Sequence, residues 1–185
     1  LKQLAEGESF DMLSEVEEYV KTEHDPDLVV HAIRYFRESK NSKTVPTLLP
    51  LLKHDAWQVR AEAVEAIGKI LEGARHNSFS NVGFSTSDTT EIYDALLERL
   101  TDTDSFVVSR AVQGLKSVDA KRAVDPLVNA AGAHPSLAAQ IVNLLTRGNA
   151  MRESAVPHLR AFLSHNDPAV RAAAIHGLCK ADREN

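Results

Sequence analysis

Five stretches of the chain place apolar side chains on one helical face with the same spacing. Aligned on one apolar position, their anchors are Leu28, Val59, Val107, Leu137 and Val170, separated by 31, 48, 30 and 33 residues. Four residues after each anchor stand Ala32, Ala63, Ala111, Ile141 and Ala174. Five after stand Ile33, Val64, Val112, Val142 and Ile175, and eight after stand Phe36, Ile67, Leu115, Leu145 and Leu178. These offsets fall on one face of a helix with 3.6 residues per turn. A small residue at plus four lets two backbones approach where neighbouring units stack, and a larger one would overpack that contact.

Each of these helices is preceded by a shorter apolar run that reads as its partner: residues 14–20, 45–52, 92–100, 124–128 and 156–163. Pro46 and Pro157 stand at the same place in the second and last of these, thirteen residues before the anchor. Pro50 lies inside the second run and is expected to bend or break it. Asp25, Asp104 and Asp167 precede their anchors by three residues, where a carboxylate accepts from the free N–H groups of the first helical turn. Asp55 stands one residue earlier, and His134 replaces the acid in the fourth unit, which predicts a weaker cap there. Self-similarity at this period marks stacked helical hairpins. The expectation is an all-α solenoid, a superhelix of five hairpins in a single domain spanning 1–185, with units at about 11–40, 42–73, 88–118, 120–149 and 152–183. The long second step is an insertion at 74–87, rich in Ser, Asn and Gly, whose Phe79 and Phe84 are candidate anchors for a partner.

Composition narrows the picture. With 43% hydrophobic and only 5% aromatic residues, the core is built from Leu, Val, Ile and Ala. The net charge of −5 divides into +3 over residues 121–185 and −8 over the rest. No run approaches the roughly 18 apolar residues of a membrane span, so no membrane partner is expected. A start at Leu1 without a charged-then-apolar leader suggests a processed chain or a piece of a longer one. One cysteine, Cys179, excludes an internal disulfide framework and a multi-cysteine zinc site; a reducing, cytoplasmic setting is expected.

Catalytic signals are weak. None of the eight histidines forms an i, i+4 pair on an expected helix, so no metal site is expected. No glycine-rich phosphate loop and no Gly-x-Ser-x-Gly elbow occurs, and no cofactor is expected. Cys179, at the end of the last helix, reads as a small, partly buried residue.

The repeat resembles the HEAT repeat, especially the short form named after phycobilisome lyases. The resemblance is carried by Ala155-Val156-Pro157-His158-Leu159, by Asp167-Pro168-Ala169-Val170-Arg171 through Leu178, and by Trp57-Gln58-Val59-Arg60 through Gly68. Units two and five fit best; Val108 and Ala138 stand where Arg60 and Arg171 stand. The resemblance implies an α-solenoid whose second helices line the concave side. It also implies a non-catalytic scaffold or adaptor for a protein partner, with a phycobilin lyase-like or chaperone-like subunit as the alternative. Asp55 and Trp57 are similar to the Asp and aromatics of HEAT-like DNA glycosylases, but the acidic chain argues against that reading.

On the second helices, the positions left outside the apolar face form a stripe of varied chemistry. At plus three stand His31, Glu62, Arg110 and Gln140, at plus six Arg34, Glu65, Gln113 and Asn143, and at plus ten Lys69 and Arg147. This stripe is the expected partner surface, with Arg110 at its centre. Its mixed signs disfavour nucleic acid, which wants a continuous basic lining. At the other end of the chain, Ala172, Ile175 and Cys179 are expected to leave an apolar strip for self-association or further repeats.

Overall fold

The computed structural model describes residues 12–76, 86–115, 121–147 and 149–183, with side chains at all of these except 74–76, 86–89 and 149–150. Ten α-helices among them run as five pairs: α1 (Met12–Thr22) with α2 (Pro26–Ser39), α3 (Val45–Leu51) with α4 (Trp57–His76), α5 (Thr86–Glu98) with α6 (Ser105–Gly114), α7 (Val124–Ala133) with α8 (Ala138–Leu145), and α9 (Asn149–Phe162) with α10 (Pro168–Arg183). The second helices stack in chain order, α2 on α4, α4 on α6, α6 on α8 and α8 on α10, and each first helix packs on its own partner. The result is an all-α solenoid with one continuous apolar core.

The small residues stand where the stacking needs them. Ala63, Ala111 and Ala174 are fully buried. Where α4 crosses α6, a Cβ on Gly68 would lie 2.9 Å from the Cα of Gly114, so the two backbones touch.

The apolar pattern slips in two units. Leu28 is 45% exposed, while Val29 is buried. Ile33 and Phe36 fix the inward face of α2, and Val29 lies four and seven residues before them, whereas Leu28 sits about 100° round. Leu137 belongs to a 3₁₀ turn, Pro135–Leu137, and Ala138 takes the buried place. On α10 the inward face is narrower than the spacing predicts. Ile175 is 53% exposed, and Ala172 and Cys179 are also exposed, so the expected apolar strip is present while the thiol is not partly buried.

Helix starts follow the acid pattern. Asp25, Asp104 and Asp167 accept from the N–H groups of Asp27, Phe106 and Ala169 at 2.8–2.9 Å. His134 makes no side-chain cap. In the second and last units the turn is built differently. His54 Nδ1 accepts from the Ala56 N–H at 3.0 Å, and His165 Nδ1 accepts from the Asp167 N–H at 3.1 Å. Arg60 and Arg171 then donate through Nη1 to the carbonyls of His54 and Asp55, and of His165 and Asn166, all at 2.8 Å. The arginine after the anchor therefore satisfies carbonyl groups of the turn between the two helices.

Helix α3 runs through Pro50 and ends at Leu51, and the chain leaves it through 3₁₀-type bonds from Leu52 to Leu49 and from Lys53 to Pro50. Helix α9 has Ala161 in the same place and ends the same way at Phe162, so the proline is not what ends the helix. The insertion is shorter than its composition predicts, because α4 continues through His76 and α5 begins at Thr86. Phe79 and Phe84 lie outside the described residues.

Candidate functional site

A groove of about 250 Å³ opens on the face made by α2, α4 and α6. Its apolar floor is Val30 and Ala61, both buried. Two aromatic rings stand at its edge. Trp57, the first residue of α4, is 41% exposed, and Phe106, in the first turn of α6, is 46% exposed. Their centroids lie 5.6 Å apart with the planes at 76°, an edge-to-face pair. Both rings follow an acid by two residues, Asp55 and Asp104, so both project from the start of a second helix.

Charged residues complete the walls, and they pair with one another across three helices. Arg37 Nη1 lies 2.6 Å from Glu62 and 3.5 Å from Glu65. Arg34 Nε lies 3.3 Å from Glu62, and Arg110 Nη1 lies 2.9 Å from Glu65. The Arg110 guanidinium also stacks over the Phe106 ring at 4.8 Å. Arg37 Nε also lies 3.2 Å from Glu38, and Arg37 stands outside the groove lining. Both glutamates are largely buried, so the ladder ties α2, α4 and α6 together, and its other members line the groove.

Below the groove a second ion cluster joins α4 to the turn before α6. Arg60 grips Asp102 with two bonds, Nε to Oδ2 at 2.8 Å and Nη2 to Oδ1 at 2.9 Å. Arg99 approaches the same carboxylate at 3.5 Å and donates to the Leu52 carbonyl at 2.8 Å. Burial pushes the Asp102 carboxyl up. The bonds from Arg60 and the Asp104 N–H, and the charges of Arg60 and Arg99, outweigh it and hold the group below its ordinary range. The same bond raises Arg60. Arg99 is thus part of a joint between units rather than an idle surface residue of a first helix.

Of the stripe residues, the groove brings together Arg34, Glu62, Glu65 and Arg110. Arg110 is not freely exposed as its spacing predicts: its side chain keeps 29% of its surface, because Glu65 and Phe106 hold it. Lys69 pairs with Glu72 on its own helix at 3.0 Å. His31, Gln113, Gln140, Asn143 and Arg147 do not line this groove. Sequence reasoning missed Phe106 and Arg37 and gave Trp57 to a different chemistry. The available signal was an aromatic residue two places after the acid at the start of a second helix, in a chain with few aromatics.

Residues 13–79 match a family model described as HEAT repeats. That stretch, which takes in the first two helix pairs, is similar to HEAT repeats. Such repeats generally mediate protein–protein interaction. The helical array is also similar to a crystal structure of an engineered protein from the Northeast Structural Genomics Consortium. That protein is 20% identical, the match covers 90% of this chain and 79% of that one, and the TM-score is 0.56. That likeness supports the solenoid fold. No curated protein matches the chain. Among the described residues, no helix of the array is long and apolar enough to cross a membrane, and no three His, Cys, Asp or Glu side chains are grouped as a metal site.

Proposed function

We propose that this HEAT-repeat chain is a non-catalytic scaffold or adaptor that captures a protein segment in the groove across α2, α4 and α6. The observation that carries the reading is the exposed edge-to-face pair of Trp57 and Phe106 over an apolar floor. Aromatic residues flanked by arginine are the commonest anchors of protein interfaces, and two rings left half in water represent apolar surface that a partner can bury. The groove is open and small. At about 250 Å³ it lies below the roughly 300–1,000 Å³ of pockets that enclose a whole small molecule, so it suits one or two side chains of a longer segment better than a bilin chromophore. That size favours the scaffold over the lyase-like alternative. A cytoplasmic setting belongs to the proposal, since the exposed Cys179 thiol stays reduced there.

The test is comparative capture. The chain and its Trp57→Ala/Phe106→Ala double variant are immobilised and exposed to lysate under identical conditions. The expected result is a protein retained by the parent and lost by the double variant, with helical content unchanged by circular dichroism. Equal retention by both would remove the groove from the function. Self-association or further repeats over the exposed Ala172, Ile175 and Cys179 strip form a separate part of the proposal. Light scattering of the chain against its Ile175→Glu variant tests it, and a parent that stays monomeric at high concentration speaks against self-association.

A further inference from the structure

The joints inside the array fix which flank of a unit meets which. Gly68 and Thr146, nine residues after their anchors, press on Gly114 and Gly177, seven residues after the anchors of the units that follow. The plus-five and plus-nine flank of one second helix therefore faces the plus-seven flank of the next. Both flanks are open at the ends of the array. At plus five, Ile33, Val64, Val112 and Val142 are fully buried, whereas Ile175 is exposed. Seven residues before the anchor, Leu52 and Leu100 are buried, whereas Leu163 keeps 41% of its surface. At the opposite end, the anchor and plus-seven places hold Leu28 and Tyr35, 45% and 39% exposed. In later units Val59, Val107 and Val170, and Ala66 and Leu144, are buried at those places.

A charge lock marks the same two ends. Arg60, the residue after its anchor, gives Nη1 to the carbonyls of its own turn and Nε and Nη2 to Asp102, five residues before the next anchor. Arg171 stands at the same place in the last unit and gives Nη1 to its own turn in the same way. Among the described residues, its guanidinium meets no carboxylate. The other acid five residues before an anchor is Glu23, in the first unit; His54, Gly132 and His165 hold that place elsewhere. Glu23 is held as Asp102 is held. Its Oε1 accepts from the Asp25 N–H at 2.8 Å, as Asp102 Oδ1 accepts from the Asp104 N–H at 3.0 Å. Tyr19 donates to Oε2 at 2.5 Å, which leaves that oxygen able to accept from a guanidinium. Among the described residues, Glu23 meets no arginine.

An arginine without its acid and an acid without its arginine thus stand on the two open flanks. We infer that a second copy of the chain stacks head to tail, its first unit on the last unit of this one, with Arg171 pairing to Glu23 of the second copy. The acidic residues 1–120 and the basic residues 121–185 favour the same direction. Two last units placed face to face would leave both arginines without an acid. Tyr35 is larger than Gly114 or Gly177, so this joint is wider there than those inside the chain. The inference deepens the proposed association over the Ile175 strip by naming its other side, and it does not rest on groove capture. A head-to-tail contact does not close on two copies, so it adds copies into chains or rings.

The test is sedimentation velocity of the full chain over a range of concentration. Mass should rise past the dimer and fall with added salt. Leu28→Glu and Ile175→Glu each block one flank, so each variant alone should be monomeric, with helical content unchanged by circular dichroism. Mixed, the two should form a dimer that grows no further, since each keeps the flank the other lacks. Glu23→Gln keeps the backbone acceptor and loses the charge, and should weaken association by about tenfold, the scale of one charge-assisted bond. Association that stops at the dimer, survives Leu28→Glu or ignores Glu23→Gln would overturn head-to-tail stacking and leave self-association through the last unit standing. A parent that is monomeric at its highest soluble concentration would count against both, with groove capture untouched.

Discussion

Replacing Asp102 with alanine should unfasten the second unit from the third. The carboxylate retains only 3% of its surface and Arg60 retains 13%, so the pair lies in a low-dielectric joint. The substitution removes both bonds to Arg60, the ion pair to Arg99 and the acceptor for the Asp104 N–H. Removing one partner of a buried pair costs about 3–5 kcal/mol because the other charge stays behind. Arg60 keeps the carbonyls of His54 and Asp55, which places the expected loss near the lower end, about 3 kcal/mol. For a domain of this size that corresponds to a fall in Tm of about 6–12 °C. Urea unfolding followed by circular dichroism and by Trp57 emission measures it, since Trp57 begins the helix that Arg60 anchors. The pH dependence has a definite sign. The folded-state carboxyl is held below its unfolded value, so its stabilisation is fully present above about pH 3.9 and is lost as pH falls through the lowered value. Parent and variant should therefore converge in acid. A variant within about 0.5 kcal/mol of the parent at neutral pH would refute the clamp, since that is the size of an ordinary surface change.

Gly68→Ala drives a methyl group into the Gly114 backbone and should cost about 1–3 kcal/mol, whereas a Cβ at Gly114 meets only ordinary contacts, so Gly114→Ala should be neutral or slightly stabilising in the same denaturation assay. Ala63→Leu and Ala111→Leu enter fully buried contacts between second helices and should each lower stability by about 1–3 kcal/mol, with retention in both showing that the helical phase is wrong. His54→Ala removes the acceptor for the Ala56 N–H and should cost about 1 kcal/mol in thermal or urea unfolding, with no effect contradicting the turn's role.

The repeats were legible because solenoid packing is local. The buried plus-four alanines and the acids at helix starts encode contacts within a unit or with its neighbour, and spacing alone exposes them. Leu28 misled because a single extra apolar residue makes two helical phases look alike, and only the packed face of Ile33 and Phe36 chooses between them. The site was half legible. Arg34, Glu62, Glu65 and Arg110 share offsets, so alignment brought them together. Their mutual pairing was hidden, because whether two charges on adjacent helices meet depends on crossing geometry that no spacing records. Phe106 was missed since it stands one residue before its anchor, where a helical pattern reads it as incidental.

The most direct measurement places a photo-crosslinking residue at Gln58, at the groove, and separately at Glu91 or Glu153, which are exposed on the first helices α5 and α9. Each version is irradiated with the captured partner present. A groove that serves as the working surface gives a strong adduct from Gln58, abolished by Trp57→Ala, and background from the other two. Adducts that form from Glu91 or Glu153 and not from Gln58 would put the working surface on the first-helix face and contradict the account.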